Sequence, residues 1–197
     1  MSRILIIYGH PSPESFNAAV TEAAQEAIRE AGGDFVVHDP YGDGLDPVLS
    51  FRKSLDPHTK RYVRELQEAT GYIVVHPDWW GQPPAMLKGY LDLVFQEGVA
   101  YQRSKGGGWP PEGLLRGNAA LVLNTADGPW QGEPANDPLE AIWRDRVFGP
   151  CGVESVQRRV FAPVSGSTPE QREGWLDEVR VLVGGYVREN GLVGAAT

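Results

Sequence analysis

Two adjacent tryptophans, Trp79 and Trp80, are the side chains best suited to holding a flat aromatic ligand. They follow an apolar, β-branched stretch, residues 71–75, which is typical of a strand buried on both faces, and apolar residues at helical spacing come after them. Ligands of open α/β sheets bind outside the carboxyl ends of the strands, so a loop at this place predicts a wall against an aromatic ring. Large aromatic residues are also frequent in protein cores, and the sequence leaves open whether the two tryptophans close the core instead.

A loop with small, hydroxyl and imidazole side chains, residues 9–15, joins the first predicted strand, residues 3–8, to the first predicted helix. The N-terminus of a helix has unpaired backbone N–H groups and the positive end of the helix dipole, and both favour an anion. Phosphate is the anion that this loop predicts. The alternative is that Ser12 or Ser15 only caps the helix, which is the commoner role of a serine taken alone.

Five predicted strands alternate with five predicted helices, and this order indicates a parallel, doubly wound α/β sheet. The second strand covers residues 34–38, the fourth 118–124 and the fifth 156–161. Three helices begin with a capping residue followed by proline at the first helical position, namely Asp56-Pro57, Asp137-Pro138 and Thr168-Pro169. The loops that could bind a ligand therefore follow successive strands of one sheet.

The segment from Pro77 to Tyr101 resembles the flavin-contacting segment of the NAD(P)H:quinone oxidoreductase family. The shared motif consists of Pro77, Trp80, Pro84, Ala85, Leu87, Lys88 and Gly89, followed by residues 94–101. The start of the chain, residues 4–11 and 15–17, resembles the phosphate-binding start of the same family. The resemblance covers roughly residues 1–165. It implies a flavodoxin-like, doubly wound, five-stranded parallel sheet in the order 2-1-3-4-5, with helices on both faces.

The resemblance implies three groups of cofactor contacts. They are His10, Ser15, Phe16 and Asn17 after the first strand; Pro77, Asp78, Trp79 and Trp80 after the third; and Asn124, Thr125, Ala126, Asp127 and Gly128 at the end of the fourth. In the family the last group wraps the pyrimidine edge of the flavin, where backbone N–H groups stabilise the negative charge of the reduced ring. Glu14 and Asp127 depart from the family pattern. We expect Glu14 to point outward and the carboxylate of Asp127 to face away from flavin N1.

The chemistry that the resemblance implies belongs to the flavin, while the protein supplies orientation, electrostatics and exclusion of water. NAD(P)H would pass a hydride from C4 to flavin N5 and leave, and a quinone or similar flat acceptor would then take the same slot, in a ping-pong sequence. The resemblance places Tyr101 at the edge of this slot. Relatives offer a tyrosine and a histidine as proton donors after the fourth strand, but residues 126–150 contain neither, and Trp130 could fill the space. The sequence assigns no catalytic side chain and does not choose between FAD and FMN.

Two other functions stay open at this point. A flavodoxin-type electron carrier would bind FMN without turnover of NAD(P)H, although the threonine-rich phosphate loop expected after the first strand is missing. A regulatory flavoprotein, similar to the quinone-reductase-like ancillary subunits of potassium efflux systems, would bind a membrane protein. The net charge of the chain does not exclude this third possibility.

Composition restricts the partners further. A length of 197 residues suits one domain, residues 1–197. The chain has 18 basic and 26 acidic residues and a net charge of −8, which argues against binding nucleic acid. One cysteine, no apolar stretch long enough to span a bilayer and no visible signal peptide predict a cytoplasmic protein. The histidines lack zinc-ligand spacing, so no metal site is predicted.

The tryptophan content predicts a homodimer. Six tryptophans, including Trp79, Trp109, Trp130 and Trp143, exceed what one small core readily hides, and tryptophan is enriched at interfaces. The resemblance points the same way, since the relatives are dimers with the flavin slot at the subunit boundary. The alternative, that these side chains pack within the monomer, stays open.

Overall fold

The computed structural model describes residues 2–50, 56–117, 119–128 and 136–193. Its strands are β1 (Ile4–Tyr8), β2 (Phe35–His38), β3 (Gly71–Pro77), β4 (Tyr101–Gln102), β5 (Glu112–Gly113), β6 (Ala119–Thr125) and β7 (Ser155–Phe161). Its helices are α1 (Phe16–Glu30), α2 (Pro57–Glu68), α3 (Ala85–Val94), α4 (Pro138–Ala141) and α5 (Pro169–Glu189).

Five of the strands form one parallel sheet in the spatial order β2-β1-β3-β6-β7. Numbered among themselves in chain order, these strands have the order 2-1-3-4-5, so the predicted flavodoxin-like sheet is confirmed. The remaining two strands, β4 and β5, form a short antiparallel pair beside it. The sequence did not predict this pair, because strands of two residues are too short to show a hydrophobic period.

Apolar side chains fill both faces of the sheet. Along β1 they alternate: Ile4 and Ile6 belong to the core under α1 and α5, while Leu5 and Ile7 belong to the core under α2 and α3. Successive side chains of a strand point to opposite faces, so a continuous apolar run reports burial on both. This double burial places β1 and β3 at the centre of the sheet, with their carboxyl ends at one edge.

The predicted helix starts are confirmed. The side chain of Ser15 accepts a hydrogen bond from the backbone N–H of Ala18 at the start of α1, and Asp56 caps α2 in the same way. Thr168 and Gln171 form a reciprocal capping box at the start of α5. Each cap satisfies N–H groups that an α-helix leaves without an internal partner.

The fourth helix differs from the prediction. The helix predicted to begin at Asp137-Pro138 is irregular: α4 ends at Ala141, and the chain continues as a π-helical segment, Ile142–Phe148, and a short 3₁₀ turn, Gly149–Cys151. Trp143 and Phe148 are both fully buried and lie five residues apart, which matches the i to i+5 spacing of a π-helix. The wider turn therefore directs both aromatic side chains into the core.

No helix within the described residues is both long enough and apolar enough to cross a membrane.

Candidate functional site

Three loops meet where β1, β3 and β6 end. We name them the β1 loop (residues 9–15), the β3 loop (residues 78–82) and the β6 loop (residues 126–128). The backbone N–H of Asp78 donates to the carbonyl of Thr125 across 2.7 Å, which fixes the β3 loop to the end of β6. The predicted contacts from three separate parts of the chain are thus brought to one edge of the sheet.

The β1 loop is held by its own side chains. The Nδ1 atom of His10 lies 3.0 Å from the backbone N–H of Ser12 and accepts its hydrogen bond. The Oγ atom of Ser15 accepts from Ala18, so the capping role considered for this serine is confirmed. The carboxylate of Glu14 is exposed, in keeping with an outward orientation.

The first turn of α1 offers backbone rather than aromatic contacts. The ring of Phe16 packs against Phe161 and Trp175, with ring centroids 6.5 and 5.7 Å away, so its side chain belongs to the core. The N–H groups at the start of an α-helix have no intrahelical partner. The N–H groups of Phe16 and Asn17 are therefore placed where an anion would be favoured.

Asn17 has an unsatisfied polar atom. Its side chain is 4% exposed, and its Nδ2 donates to the hydroxyl of Thr125 across 2.8 Å, which links the start of α1 to the end of β6. Its Oδ1 is buried and has no hydrogen-bond partner among the described residues. A buried acceptor without a donor costs about 1–3 kcal/mol, so this oxygen favours a ligand that brings a donor.

The β3 loop presents Trp80 to solvent. Trp79 and Gln82 exchange backbone hydrogen bonds of 3.1 and 3.2 Å, and Asp78 accepts from the N–H of Gly81, which makes a tight turn. Trp80 and Gly81 occupy its centre with φ of 61° and 71°. Trp80 is 100% exposed, so the alternative that it closes the core is wrong.

Trp79 lies against the β1 loop. Its ring meets the ring of His10 edge-on, with the centroids 5.9 Å apart, and 41% of the residue is exposed. The core interpretation therefore fails for this tryptophan as well. The contact places the two loops side by side, so that the exposed indole of Trp80 lies on a loop that contacts the β1 loop, which precedes α1.

The β6 loop is tied to the loop after β7. The N–H of Ala126 donates to the carbonyl of Phe161, and its carbonyl accepts from the N–H of Val164. The carboxylate of Asp127 accepts from the backbone N–H of Ser165 at 2.7 Å, and hydrogen bonding by Ser165 holds the pKa of Asp127 below its ordinary value. Gly128 is exposed.

Asn124 differs from its neighbours, because its side chain is buried in a polar cluster behind the loops. Its Nδ2 donates to Nε2 of His76 at 2.8 Å, and the indole N–H of Trp143 donates to the same Nε2 at 2.9 Å. The other ring nitrogen of His76, Nδ1, lies 2.7 Å from the carbonyl oxygen of Pro77. The side chain of Asn124, which was predicted as a cofactor contact, is fully buried and takes part in this cluster.

A buried ion pair completes the cluster. The guanidinium of Arg158 donates to Oδ1 of Asn124 and to the carboxylate of Asp137, at 2.5 and 2.6 Å. The side chain of Arg158 is only 6% exposed. Sequence reasoning identified Asp137 as a helix cap and missed its pairing with Arg158. Nothing in the spacing of these residues signals that they meet.

Residues 2–183 match a protein-family model that is described as a flavodoxin-like fold. The chain belongs to this family.

Among relatives of this flavodoxin-like chain, a Haemophilus influenzae protein named as an uncharacterized NAD(P)H oxidoreductase is 26% identical over 171 residues, or 81% of this chain and 83% of the relative. The mouse ribosyldihydronicotinamide dehydrogenase (quinone) is 29% identical over 150 residues, or 64% of each chain. For the mouse relative, and for an Escherichia coli oxidoreductase of which 55% is covered, the match spans less than two thirds of the relative.

Solved structures show the same likeness. A Streptococcus mutans protein is 27% identical, with a TM-score of 0.81 over 92% of this chain and 98% of that one. The NAD(P)H:quinone oxidoreductase of Methanothermobacter marburgensis has a TM-score of 0.77 at 23% identity, covering 94% and 96% of the two chains, and it supports the fold alone. The resemblance to NAD(P)H:quinone oxidoreductases that the sequence indicated is confirmed.

In this flavodoxin-like protein Tyr101 is not part of the three loops. It lies on β4, half-buried, and lines a groove of about 1300 Å³ together with Phe95 and Trp109. The groove runs along α3 and the π-helical segment and reaches the β3 loop at Gln82. Tyr101 thus borders the site from the side of α3, while the other predicted residues border it from the carboxyl ends of the strands.

Proposed function

We propose that this protein is a flavin-dependent oxidoreductase that passes a hydride from NAD(P)H to a quinone or a similar flat aromatic acceptor. The observation that carries the proposal is the fully exposed indole of Trp80, held on a loop that contacts the loop before α1. A free aromatic face next to a helix N-terminus suits a ligand that has both a flat ring and a phosphate. The names of the relatives support the same class of reaction.

The chemistry of the described residues fits a flavin nucleotide. Phosphate would lie at the N-terminus of α1, where the N–H groups of Phe16 and Asn17 are available. The buried Oδ1 of Asn17, which has no donor among the described residues, suits a hydroxyl group of the ribityl chain. Trp80 offers the surface against which a flat ring can stack.

A bound flavin would supply the hydride chemistry. The chain contributes positioning: Trp80 forms the wall, and the backbone of the β6 loop offers N–H groups where the ring would gain negative charge. Hydrogen bonding to Ser165 holds the carboxylate of Asp127 against the loop after β7. NAD(P)H and the acceptor would bind in turn at the free face, in a ping-pong sequence, with Tyr101 at the border of the slot. Whether the flavin is FMN or FAD is decided by mass spectrometry of the flavin released by heat.

Reduction of the bound flavin by NADH or NADPH is the property that tests the proposed function. We expect the absorbance of the bound flavin to bleach when the purified protein is mixed anaerobically with NADH or NADPH, and to return on addition of a benzoquinone. The comparison of the two nucleotides also identifies the preferred donor. A flavin that neither nucleotide bleaches would contradict the proposal and favour an electron carrier or a regulatory flavoprotein.

We also propose that the groove along α3 is the interface of a homodimer. One part of the tryptophan argument is corrected, because Trp143 is fully buried within the chain, and Trp130 lies outside the described residues. Two of the named tryptophans remain exposed: Trp79, 41% exposed on the β3 loop, and Trp109, which is 62% exposed and lines an apolar groove that reaches this loop. A partner on this face would cover Trp109 and close the site from one side.

Light scattering is expected to give twice the chain mass of 21.6 kDa at micromolar concentration. Trp109→Asp should shift the protein to the monomer, because a charge would be buried without a partner at the interface. Val181→Asp is the matched control, since Val181 is 71% exposed on α5, at a distance from the groove, and should leave the dimer intact. A monomeric wild-type protein would contradict the proposal.

The predictions of a single domain, residues 1–197, and of a cytoplasmic location remain part of the proposal. The family match over residues 2–183 supports the first.

A further inference from the structure

His76 is a fully buried polar residue at the end of β3 that the proposed chemistry does not use. Its Nε2 is approached by two groups that can only donate, the amide Nδ2 of Asn124 and the indole N–H of Trp143. The orientation of the Asn124 amide follows from Arg158, whose guanidinium donates to the amide oxygen. Nε2 must therefore be the acceptor, and the proton of the neutral ring lies on Nδ1.

The ring is neutral because burial lowers the pKa of His76 to about 4. In this tautomer the Nδ1–H donates to the carbonyl oxygen of Pro77 at 2.7 Å. The same peptide unit continues into Asp78, whose N–H donates to the carbonyl of Thr125 at 2.7 Å. Both polar ends of the peptide unit that leads from β3 into the β3 loop are thus held.

We propose that His76 is a positioning residue for the flavin wall: by holding the carbonyl of Pro77, it fixes the direction in which the β3 loop carries Trp80. The inference rests on the proposed function, since it concerns the wall against which the ring would stack. It explains why a buried polar cluster lies behind a loop whose own side chains face solvent. Arg158 orients the amide of Asn124, and this amide places the proton of His76 on Nδ1. The Nδ1–H in turn holds the β3 loop through the carbonyl of Pro77.

Two substitutions of His76 separate the donor role of Nδ1 from the acceptor role of Nε2. His76→Asn keeps an amide donor near the position of Nδ1 and removes the acceptor for Asn124 and Trp143. His76→Gln keeps an amide oxygen near the position of Nε2 and removes the donor to Pro77. Trp143→Phe is a control on the acceptor side, because it deletes one donor to Nε2 and leaves the bond to Pro77 in place.

Flavin affinity should depend only on the hydrogen bond from Nδ1–H of His76 to the carbonyl of Pro77. We expect His76→Gln to weaken flavin binding to the stripped protein about tenfold, the size expected for one buried hydrogen bond, and His76→Asn and Trp143→Phe to stay within about twofold of wild type. Urea unfolding of the same three apoproteins should show a loss of stability in both His76 variants, because each leaves a buried group unpaired. Trp143→Phe should also lose stability, because it removes buried indole packing and one donor, although Asn124 still donates to Nε2. Equal flavin affinities of His76→Asn and His76→Gln would overturn the positioning role.

The tautomer gives a test that needs neither flavin nor variants. Nitrogen-15 spectra of the wild-type apoprotein should show His76 with a protonated Nδ1 and an unprotonated Nε2. A protonated Nε2 would overturn the inference whatever the variants do. Failure of the wild-type protein to bind either FMN or FAD would instead overturn the proposed function itself. The tautomer measurement does not depend on flavin binding, so the two failures can be told apart.

Discussion

Trp80→Ala is expected to weaken flavin binding by about tenfold or more while the fold keeps its stability. Stacking of a flat base on an aromatic side chain is worth about 1–3 kcal/mol, and about 1.4 kcal/mol corresponds to a factor of ten in affinity. The contacts at the start of α1 would survive the substitution. Flavin titration of the apoprotein measures the loss directly.

The unchanged stability follows from the position of Trp80. Its side chain is 100% exposed, so truncation removes no packing from the core. Its φ of 61° lies in the left-handed region, where a residue other than glycine costs of order 1–3 kcal/mol. Trp80→Gly should therefore stabilise the apoprotein and still lose flavin. A large aromatic residue kept in an unfavourable backbone conformation, and fully exposed among the described residues, is consistent with a ligand-binding role.

Trp143→Ala is the contrasting control for this prediction. Trp143 is fully buried against Phe148 and His76, and loss of a buried tryptophan costs about 3–5 kcal/mol. Urea unfolding of the two apoproteins should separate them clearly. Wild-type flavin affinity in Trp80→Ala would show that the indole is not the wall.

Local patterns in the sequence predicted most of the fold. The strands appear as apolar runs because β1 and β3 are covered on both faces, and the helix caps involve residues two or three positions apart. The exposure of Trp80 could not be predicted in this way. A pair of tryptophans after a strand is equally compatible with core packing and with a wall against an aromatic ligand. The tight turn between Trp79 and Gln82, which exposes Trp80, distinguishes the two.

The cluster behind the loops could not be predicted for a different reason. His76 meets Asn124 and Trp143, which lie 48 and 67 positions away in the chain. Such contacts depend on the register between β3 and β6 and on the π-helical turn, neither of which leaves a pattern in a single sequence. The family resemblance implied Asn124 as a cofactor contact, but its side chain is fully buried and donates to His76.

Asp137→Ala is expected to destabilise the protein by about 3–5 kcal/mol. Asp137 both caps α4 through the N–H of Leu139 and pairs with Arg158, whose side chain is 6% exposed. Removing one partner of a buried ion pair leaves the other charge uncompensated, and this is costly in an environment that water does not reach. Glu140, 3.8 Å from the same guanidinium nitrogen, should keep the loss at the lower end of the range.

Asp56→Ala is the matched control, because Asp56 is also an N-cap aspartate followed by proline, but it is exposed and its carboxylate accepts from the N–H groups of α2 and the hydroxyl of Thr59 rather than from a buried guanidinium. It should cost about 1 kcal/mol, as helix caps usually do. The double variant Asp137→Ala with Arg158→Met should regain part of the stability, since it removes the stranded charge and keeps an apolar side chain in its place. Equal losses of the free energy of unfolding for Asp56→Ala and Asp137→Ala would mean that Asp137 acts as a cap alone. A larger loss for Asp137→Ala that the double variant partly reverses would assign the difference to the buried charge of Arg158.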